Sequence, residues 1–250
     1  KTTKYRDKYN YIFHERCATL KTSLGCPYNC EFCFCTSVSS YFTRELGDVI
    51  KEIKTIKEEN IFIVDDNFLF DNKRIESFCR LLDENNIKKN YIAFGRADFI
   101  AQNEDSIKLL KAHGFEAIFV GLESFKKSEL DDFNKKISVE ENIRAVKTLE
   151  RCGLRCYAGI IVGYDWTRSD FDNLIEYLNS FSNIFVNIKP LTPMPGTPLY
   201  DKLKDKIIVP RENYEYWDMA HLLIKPSKMG KRKFYYNIVR VYLKTPVYKF

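Results

Sequence analysis

Short runs rich in β-branched and aromatic residues alternate with longer helical patterns, and this alternation limits the fold more than any other feature of the chain. The strand candidates are 18–24, 61–65, 91–96, 116–122, 154–162 and 183–190. The helix candidates between them are 44–59, 71–86, 104–113, 138–152 and 168–180. In the first helix Leu46, Val49, Ile50, Ile53 and Ile56 recur at helical spacing among charged neighbours. Gly114 and Gly153 follow two helices, where a left-handed cap is expected. Repeated strand–helix units predict an α/β fold with a parallel sheet and right-handed crossovers. A closed eight-unit barrel takes ~250 residues. Six units ending by residue 190 fit a partial (β/α)6 barrel followed by a C-terminal helical extension. The expected division is a lead-in over 1–17, the barrel over 18–200 and the extension over 201–250, with a proline-rich break at 191–198. In such folds the chemistry sits at the C-terminal ends of the strands.

Directly after the first strand comes GCPYNCEFCFC, in which Cys26, Cys30 and Cys33 are spaced C-x3-C-x2-C with Phe32 before the third. Three thiolates on one loop can hold three irons of a [4Fe-4S] cube and leave the fourth open. Zinc is the alternative, and it usually asks for two separated pairs or four ligands in tetrahedral reach. Cys35 would supply a fourth thiol, but its spacing from Cys33 is awkward for a single cube. Cys79 and Cys152 fall in helical patterns and read as small buried hydrophobes, whereas Cys156 lies in a strand and is expected to be able to face the barrel interior. Clustered thiols without an export signal predict metal binding in a reducing, cytoplasmic setting rather than a disulfide framework. The first residue is Lys, so an upstream segment is expected. The longest nearly unbroken apolar stretch, 157–164, is far short of the ~20 residues that span a bilayer.

Net charge is +6, unevenly placed. Residues 219–250 hold eight Lys and Arg and no acid, so the rest of the chain carries 32 basic and 34 acidic residues. A near-neutral body argues against a uniformly basic nucleic-acid-binding domain. The tail segment 229–244 reads as a helix with Phe234, Tyr235, Ile238, Val241 and Tyr242 on one side and Lys231, Arg232, Arg240 and Lys244 mainly elsewhere. Packing on the barrel is the expected role of its aromatic side; contact with an anionic membrane surface or an acidic partner comes next.

The cysteine loop and the segments SLGCPYNCEFC, IFIVDDNFLF (61–70), FGRADFI (94–100), AIFVGLESF (117–125), AGIIVGYD (158–165) and PLTPMPGTPLY (190–200) together resemble the radical S-adenosylmethionine (SAM) superfamily. The resemblance covers roughly residues 18–225 and is strongest to the subgroup that contains the cobalamin-dependent enzymes. It implies an enzyme in which SAM chelates the open iron and an electron from the cluster releases a 5′-deoxyadenosyl radical that abstracts hydrogen. It further implies an electron donor such as flavodoxin or ferredoxin and a substrate of unassigned class. By the same resemblance, methylation of an unactivated carbon would use cobalamin bound by a domain outside this chain, upstream of Lys1. Cobalamin-independent cyclisation, epimerisation or dehydrogenation would use the same core. A non-catalytic iron–sulfur or zinc scaffold is the reading from a different class.

The same comparison assigns roles at the strand ends. Phe32 belongs to the cysteine motif. Asp65, Asp66 and Asn67 end the second strand, with Asp66 and Asn67 placed toward the SAM amino group; an Asx turn is the plainer reading. Arg96 faces a carboxylate or else simply pairs with Asp98. Glu123 and Ser124 end the fourth strand, and Glu123 is directed at SAM. Ile161 packs against adenine. The turn after Gly163 departs from the family pattern, placing Trp166 where Glu is usual. His14, His113 and His221 form no metal pair.

Overall fold

A computed structural model of the chain describes residues 10–11, 14–182 and 184–245. Most of the expected lead-in, the first residue of the sixth strand candidate and Lys249 lie outside the described residues. The first strand candidate divides in two: β1 (Cys17–Leu20) enters the main sheet, and β2 (Ser23–Leu24) pairs antiparallel with β3 (Phe42–Thr43). The division has a local cause. Asp65 accepts hydrogen bonds from the Thr22 amide and hydroxyl at 2.5 Å and from the Ser23 hydroxyl at 2.8 Å, so a carboxylate satisfies groups that a neighbouring strand would otherwise engage.

The remaining strands are β4 (Asn60–Ile63), β5 (Asn90–Gly95), β6 (Phe115–Glu123), β7 (Arg155–Val162) and β8 (Ile184–Pro190). They form a six-stranded sheet in the order β1-β4-β5-β6-β7-β8, and every pairing is parallel. Sequential order with all-parallel pairing is the arrangement of a barrel, as the strand–helix alternation predicts. The connecting helices include α1 (Cys35–Val38), α2 (Leu46–Thr55), α3 (Asn72–Glu84), α4 (Ala97–Gln102), α5 (Glu104–Ala112), α6 (Lys127–Asp132), α7 (Val139–Arg151) and α8 (Arg168–Asn179). After the sheet come α9 (Pro198–Leu203) and α10 (Lys231–Lys244). The helices absent from the sequence reading, α1, α4, α6 and α9, have four to six residues, too few for a 3.6-residue period to register.

Helix ends follow their capping chemistry. Ser138 and Glu141 form a reciprocal capping box at the start of α7, and Thr167 and Asp170 do the same for α8. Replacing Ser138 with Ala is expected to cost about 1 kcal/mol of stability, read as a shift in the denaturation midpoint. Gly114 has φ +89°, and a Cβ there would lie 2.1 Å from the Lys89 carbonyl oxygen, so only glycine turns the chain from α5 into β6.

Strand residues alternate between two cores. Ile63, Ala93, Val120, Cys156 and Ala158 face the helices, packing with Ile53, Phe78, Leu110, Val146 and Leu174. Cys156 is thus in the helix-side core and not in the barrel interior, because its neighbour Tyr157 takes the inner face. Burial pushes the Cys156 thiol well above its ordinary range. On the inner face Phe94, Phe119, Tyr157 and Phe185 are register partners across β5, β6, β7 and β8. Two residues further along, Gly121, Gly159 and Asn187 are partners in turn. The inner face therefore rises from an aromatic layer to one in which β6 and β7 contribute only glycine.

The tail helix packs on α8 through Phe234, which meets Phe171 ring to edge at 5.5 Å, with Ile238 and Val241 in the same core. The Tyr242 hydroxyl accepts the Ile188 amide at 2.8 Å, satisfying a donor on the edge strand β8. Arg240 corrects the expectation of a solvated basic side: it is 7% exposed and pairs with Asp172 at 2.5 Å. The aromatic side that a membrane-surface contact would need is mostly committed to the barrel, with Tyr236, Val239 and Leu243 facing outward. Among the described residues, no helix is long and apolar enough to cross a membrane.

Candidate active site

The cysteine loop is held by backbone contacts to two later segments. The Glu31 amide donates to the Phe133 carbonyl at 2.9 Å, and the Glu31 carbonyl accepts from the Leu199 amide at 3.0 Å. The Asn134 side chain donates to the Asn29 carbonyl, and Lys202 pairs with Glu31 at 3.1 Å. Gly25, at φ +70°, starts the loop where a Cβ would strike the Ser39 and Ser40 carbonyls. Thr197 caps α9 and Pro198 follows at its first turn, so the proline-rich 191–198 segment leads into a short helix that holds the cysteine loop through Leu199 and Lys202.

That loop forms one wall of a cavity of about 330 Å³, within the usual size range of ligand pockets. Cys26, Cys30 and Cys33 all line it as free thiols, together with Phe32, Asp66, Asn67, Arg96, Glu123 and Ile161. The three thiols and these six residues thus line one cavity at the strand ends. Asp65 does not; its carboxylate is committed to Thr22 and Ser23.

The charges in this cavity are arranged in pairs. Lys135 Nζ lies 2.9 Å from Glu123 Oε1, with both side chains nearly excluded from solvent. Arg96 pairs with Asp98 at 3.0 Å, one of the two roles expected of it, and its Nη1 lies 3.7 Å from Cys30 Sγ. It also donates to the Lys135 carbonyl at 2.8 Å and lies 3.6 Å above the Tyr28 ring. Burial pushes the Cys30 thiol up, while Lys135 and Arg96 act in the opposite direction. The Cys33 thiol is held at about 6, chiefly by a hydrogen bond from Cys35. Cys35 is in turn pushed far up, its single S–H shared between Cys33 and Asp66, whose Oδ1 lies 3.6 Å from its sulfur.

Among the described residues, no three His, Cys, Asp or Glu side chains converge on one metal-ion position. A cube makes a different demand, one thiolate on each of three irons. Three free thiols on one wall, beside two cations that favour their deprotonated form, fit that donor set. A second sign of a ligand is Asn67, 2% exposed, whose amide oxygen and nitrogen have no hydrogen-bond partner among the described residues although it lines the cavity. Cys35 is the residue that separates three ligands from four. Replacing Cys35 with Ala should leave iron content and the cluster's absorption unchanged; loss of the cluster would assign it as a ligand.

The glycine layer gives the site its space. A Cβ on Gly121 would meet Glu123 Oε1 at 2.2 Å, so the Glu123 carboxylate lies where that side chain would be. Glu123 itself has φ +60°, a left-handed conformation at the bulge where β6 loses register with β7. A Cβ on Gly159 would meet nothing closer than 3.9 Å.

Lys135 was not singled out in the sequence, where it sits in a run with Lys136 and nothing marks it as buried. Trp166 takes a structural part in its departing turn: it is 1% exposed, and its indole N–H donates to Glu129 at 2.6 Å. Ser124 is likewise occupied, donating to the same carboxylate.

The sequence profile of the radical SAM superfamily matches residues 20–178. The hopanoid C-3 methylase of Methylococcus capsulatus is 28% identical over 239 residues, covering 95% of this chain and 46% of that protein. An anaerobic magnesium-protoporphyrin IX monomethyl ester cyclase of Rubrivivax gelatinosus is 25% identical, covering 90% of this chain and 41% of its own length. The structure of the cobalamin-dependent SAM radical enzyme OxsB, with aqua-cobalamin and SAM bound, superposes with a TM-score of 0.69 at 16% identity, covering 88% of this chain and 40% of that one. The chain thus spans less than half the length of these relatives. With the profile matching well over half of its residues, the parallel barrel and the cysteine loop together, the chain belongs to the radical SAM superfamily.

Proposed function

We propose that Cys26, Cys30 and Cys33 hold a [4Fe-4S] cluster and that this barrel cleaves SAM reductively, serving a protein that methylates an unactivated carbon with cobalamin held outside this chain. The observation that carries the reading is the meeting of the three thiols and the unpartnered Asn67 amide in a single cavity. When bound, the cluster supplies the electron and SAM the 5′-deoxyadenosyl radical that takes hydrogen from the substrate.

The chain's own residues bind, orient and exclude water. Cys26, Cys30 and Cys33 would hold the cluster on one wall of the cavity, beside the residues that would receive SAM. Asn67 and Asp66 offer acceptors to the amine, and Asn67 also offers a donor. The paired cations Lys135 and Arg96 offset the negative charge of thiolates and carboxylate. Phe32, which packs with Phe133 ring to edge at 5.4 Å, joins Ile161 in an apolar wall that keeps water from the reacting centre. Methylation rests on the kinship with the hopanoid methylase and on the likeness to a cobalamin-dependent enzyme.

The test is anaerobic reconstitution with iron and sulfide, followed by SAM and a strong reductant. Formation of 5′-deoxyadenosine and methionine is the expected outcome. An intact cluster that yields neither would favour a non-catalytic iron–sulfur scaffold. The methylation branch is read on the whole protein: label from methyl-deuterated SAM should pass to bound cobalamin, and a protein that binds no cobalamin would belong with the cobalamin-independent enzymes.

A further inference from the structure

The cavity has a second wall that the cluster and SAM assignments leave unexplained. Phe94, Phe119, Tyr157 and Phe185 form a row across four strands, with ring centroids 4.9, 4.6 and 4.6 Å apart. Tyr157 and Phe185 are stacked at an interplanar angle of 10°. Phe62 supports the row from β4, 5.3 Å from Phe94 and 5.5 Å from Phe119, and Tyr11 lies 4.3 Å from Phe62. Phe94, Phe119 and Phe185 are only half-buried, and Phe94, Phe119 and Tyr157 line the cavity itself. A packed core would cover such rings with side chains from the next layer. Here that layer contributes Gly121, Gly159 and Asn187, with the Glu123 carboxylate over Gly121 and nothing nearer than 3.9 Å to where a Gly159 Cβ would lie.

The polar groups of this half of the cavity are few. Arg96 and Lys135 already face Asp98 and Glu123. At the end of β8, Asn187 and Lys189 lie on the same inner-face alternation as Phe185. Among the described residues, Lys189 Nζ approaches no carboxylate, and its contact is Met219 Sδ at 3.8 Å. Met194 and Met219 complete the rim, and unbranched thioether side chains adapt to irregular apolar shapes.

We propose that the substrate is a flat or rigid, largely apolar ring compound bearing one acidic group. Its body lies over the aromatic row, and its acid meets Lys189 and Asn187. This rests on the reading of the site given above and narrows its substrate class. Rings stacked along the row turn their edges to the cavity, and such edges favour the face of a flat apolar body through edge-to-face contact. A half-buried ammonium with no carboxylate partner among the described residues favours an anion in an otherwise apolar setting. A sugar or nucleotide would need several donors and acceptors that this wall does not offer.

The test is equilibrium dialysis of the reconstituted full chain against 1-pyrenebutyrate, a flat four-ring acid, and against 1-pyrenebutanol, its uncharged counterpart. One saturable site per chain is expected, binding the acid about tenfold more tightly than the alcohol. Lys189→Gln should remove that difference by weakening the acid alone. Gly159→Leu, with an unchanged circular-dichroism spectrum, should remove binding of both. If that variant misfolds, the acid–alcohol comparison on Lys189→Gln decides by itself. Equal affinities for the two probes, no saturable binding, or binding that survives Gly159→Leu would overturn the proposal; the last would place the probe on another surface. SAM cleavage is measured on the same preparation. Cleavage without probe binding refutes the substrate class alone, whereas an intact cluster without cleavage refutes the catalytic reading.

Discussion

Replacing Cys30 with Ala is expected to abolish cluster assembly and, with it, all 5′-deoxyadenosine formation. Cys30 is the most buried of the three loop thiols at 8% exposure, and it is the one closest to the paired cations, 3.7 Å from the Arg96 guanidinium. A cube with two thiolates has two open irons and no longer presents a single chelation position. The apo fold should survive, because the change trims one small buried side chain and leaves the loop's backbone anchors at Glu31 untouched. Iron and sulfide content, the cluster's visible absorption and the far-ultraviolet circular dichroism together read the outcome. Cys156→Ala is the matched control: it is fully buried on the helix side of β7, so its cluster content should equal that of the unaltered chain. Equal loss in both variants would mean general damage to the fold, not loss of a ligand.

The second large effect is expected at the Lys135–Glu123 pair. Both side chains are withdrawn from solvent, and the ammonium lies 2.9 Å from one carboxylate oxygen. Lys135→Met removes the cation and strands the carboxylate, a change that typically costs about 3–5 kcal/mol. Glu123→Gln together with Lys135→Met should recover most of that loss, since no uncompensated charge is then buried. Denaturation of the apo chain gives both values. A single variant no less stable than the parent would mean that the pair is not closed off from water. Loss of SAM binding in the stable double variant would separate the pair's part in the site from its part in folding.

Much of this fold is legible in the sequence because strands of a parallel sheet are covered on both faces and read as apolar runs. IFIVD, YIAFGR and LRCYAGIIV each fall within a residue or two of the observed strands. The same property hides which face a residue takes. Cys156 and Tyr157 sit in one uninterrupted apolar run, and only the register shows that the tyrosine points inward and the cysteine toward the helices. The cysteine spacing is local, so the loop could be read directly. Lys135 and Lys189 could not, because each acquires its meaning from residues distant in sequence: Glu123 and Cys30 for one, the aromatic row and Met219 for the other. Arg240 misled for a similar reason. On the helix alone it belongs to a basic side, but Asp172 of α8 draws it into the packed interface.

The proposed function requires three thiolates from one loop to hold a cluster whose remaining iron is open to SAM. The electron paramagnetic resonance spectrum of the reduced, reconstituted chain, recorded with and without SAM, reads this arrangement. One [4Fe-4S] signal per chain is expected, with g-values that shift when SAM is added and an unchanged response in the Cys35→Ala variant. A spectrum indifferent to SAM, or a cluster that disappears with Cys35, would contradict it.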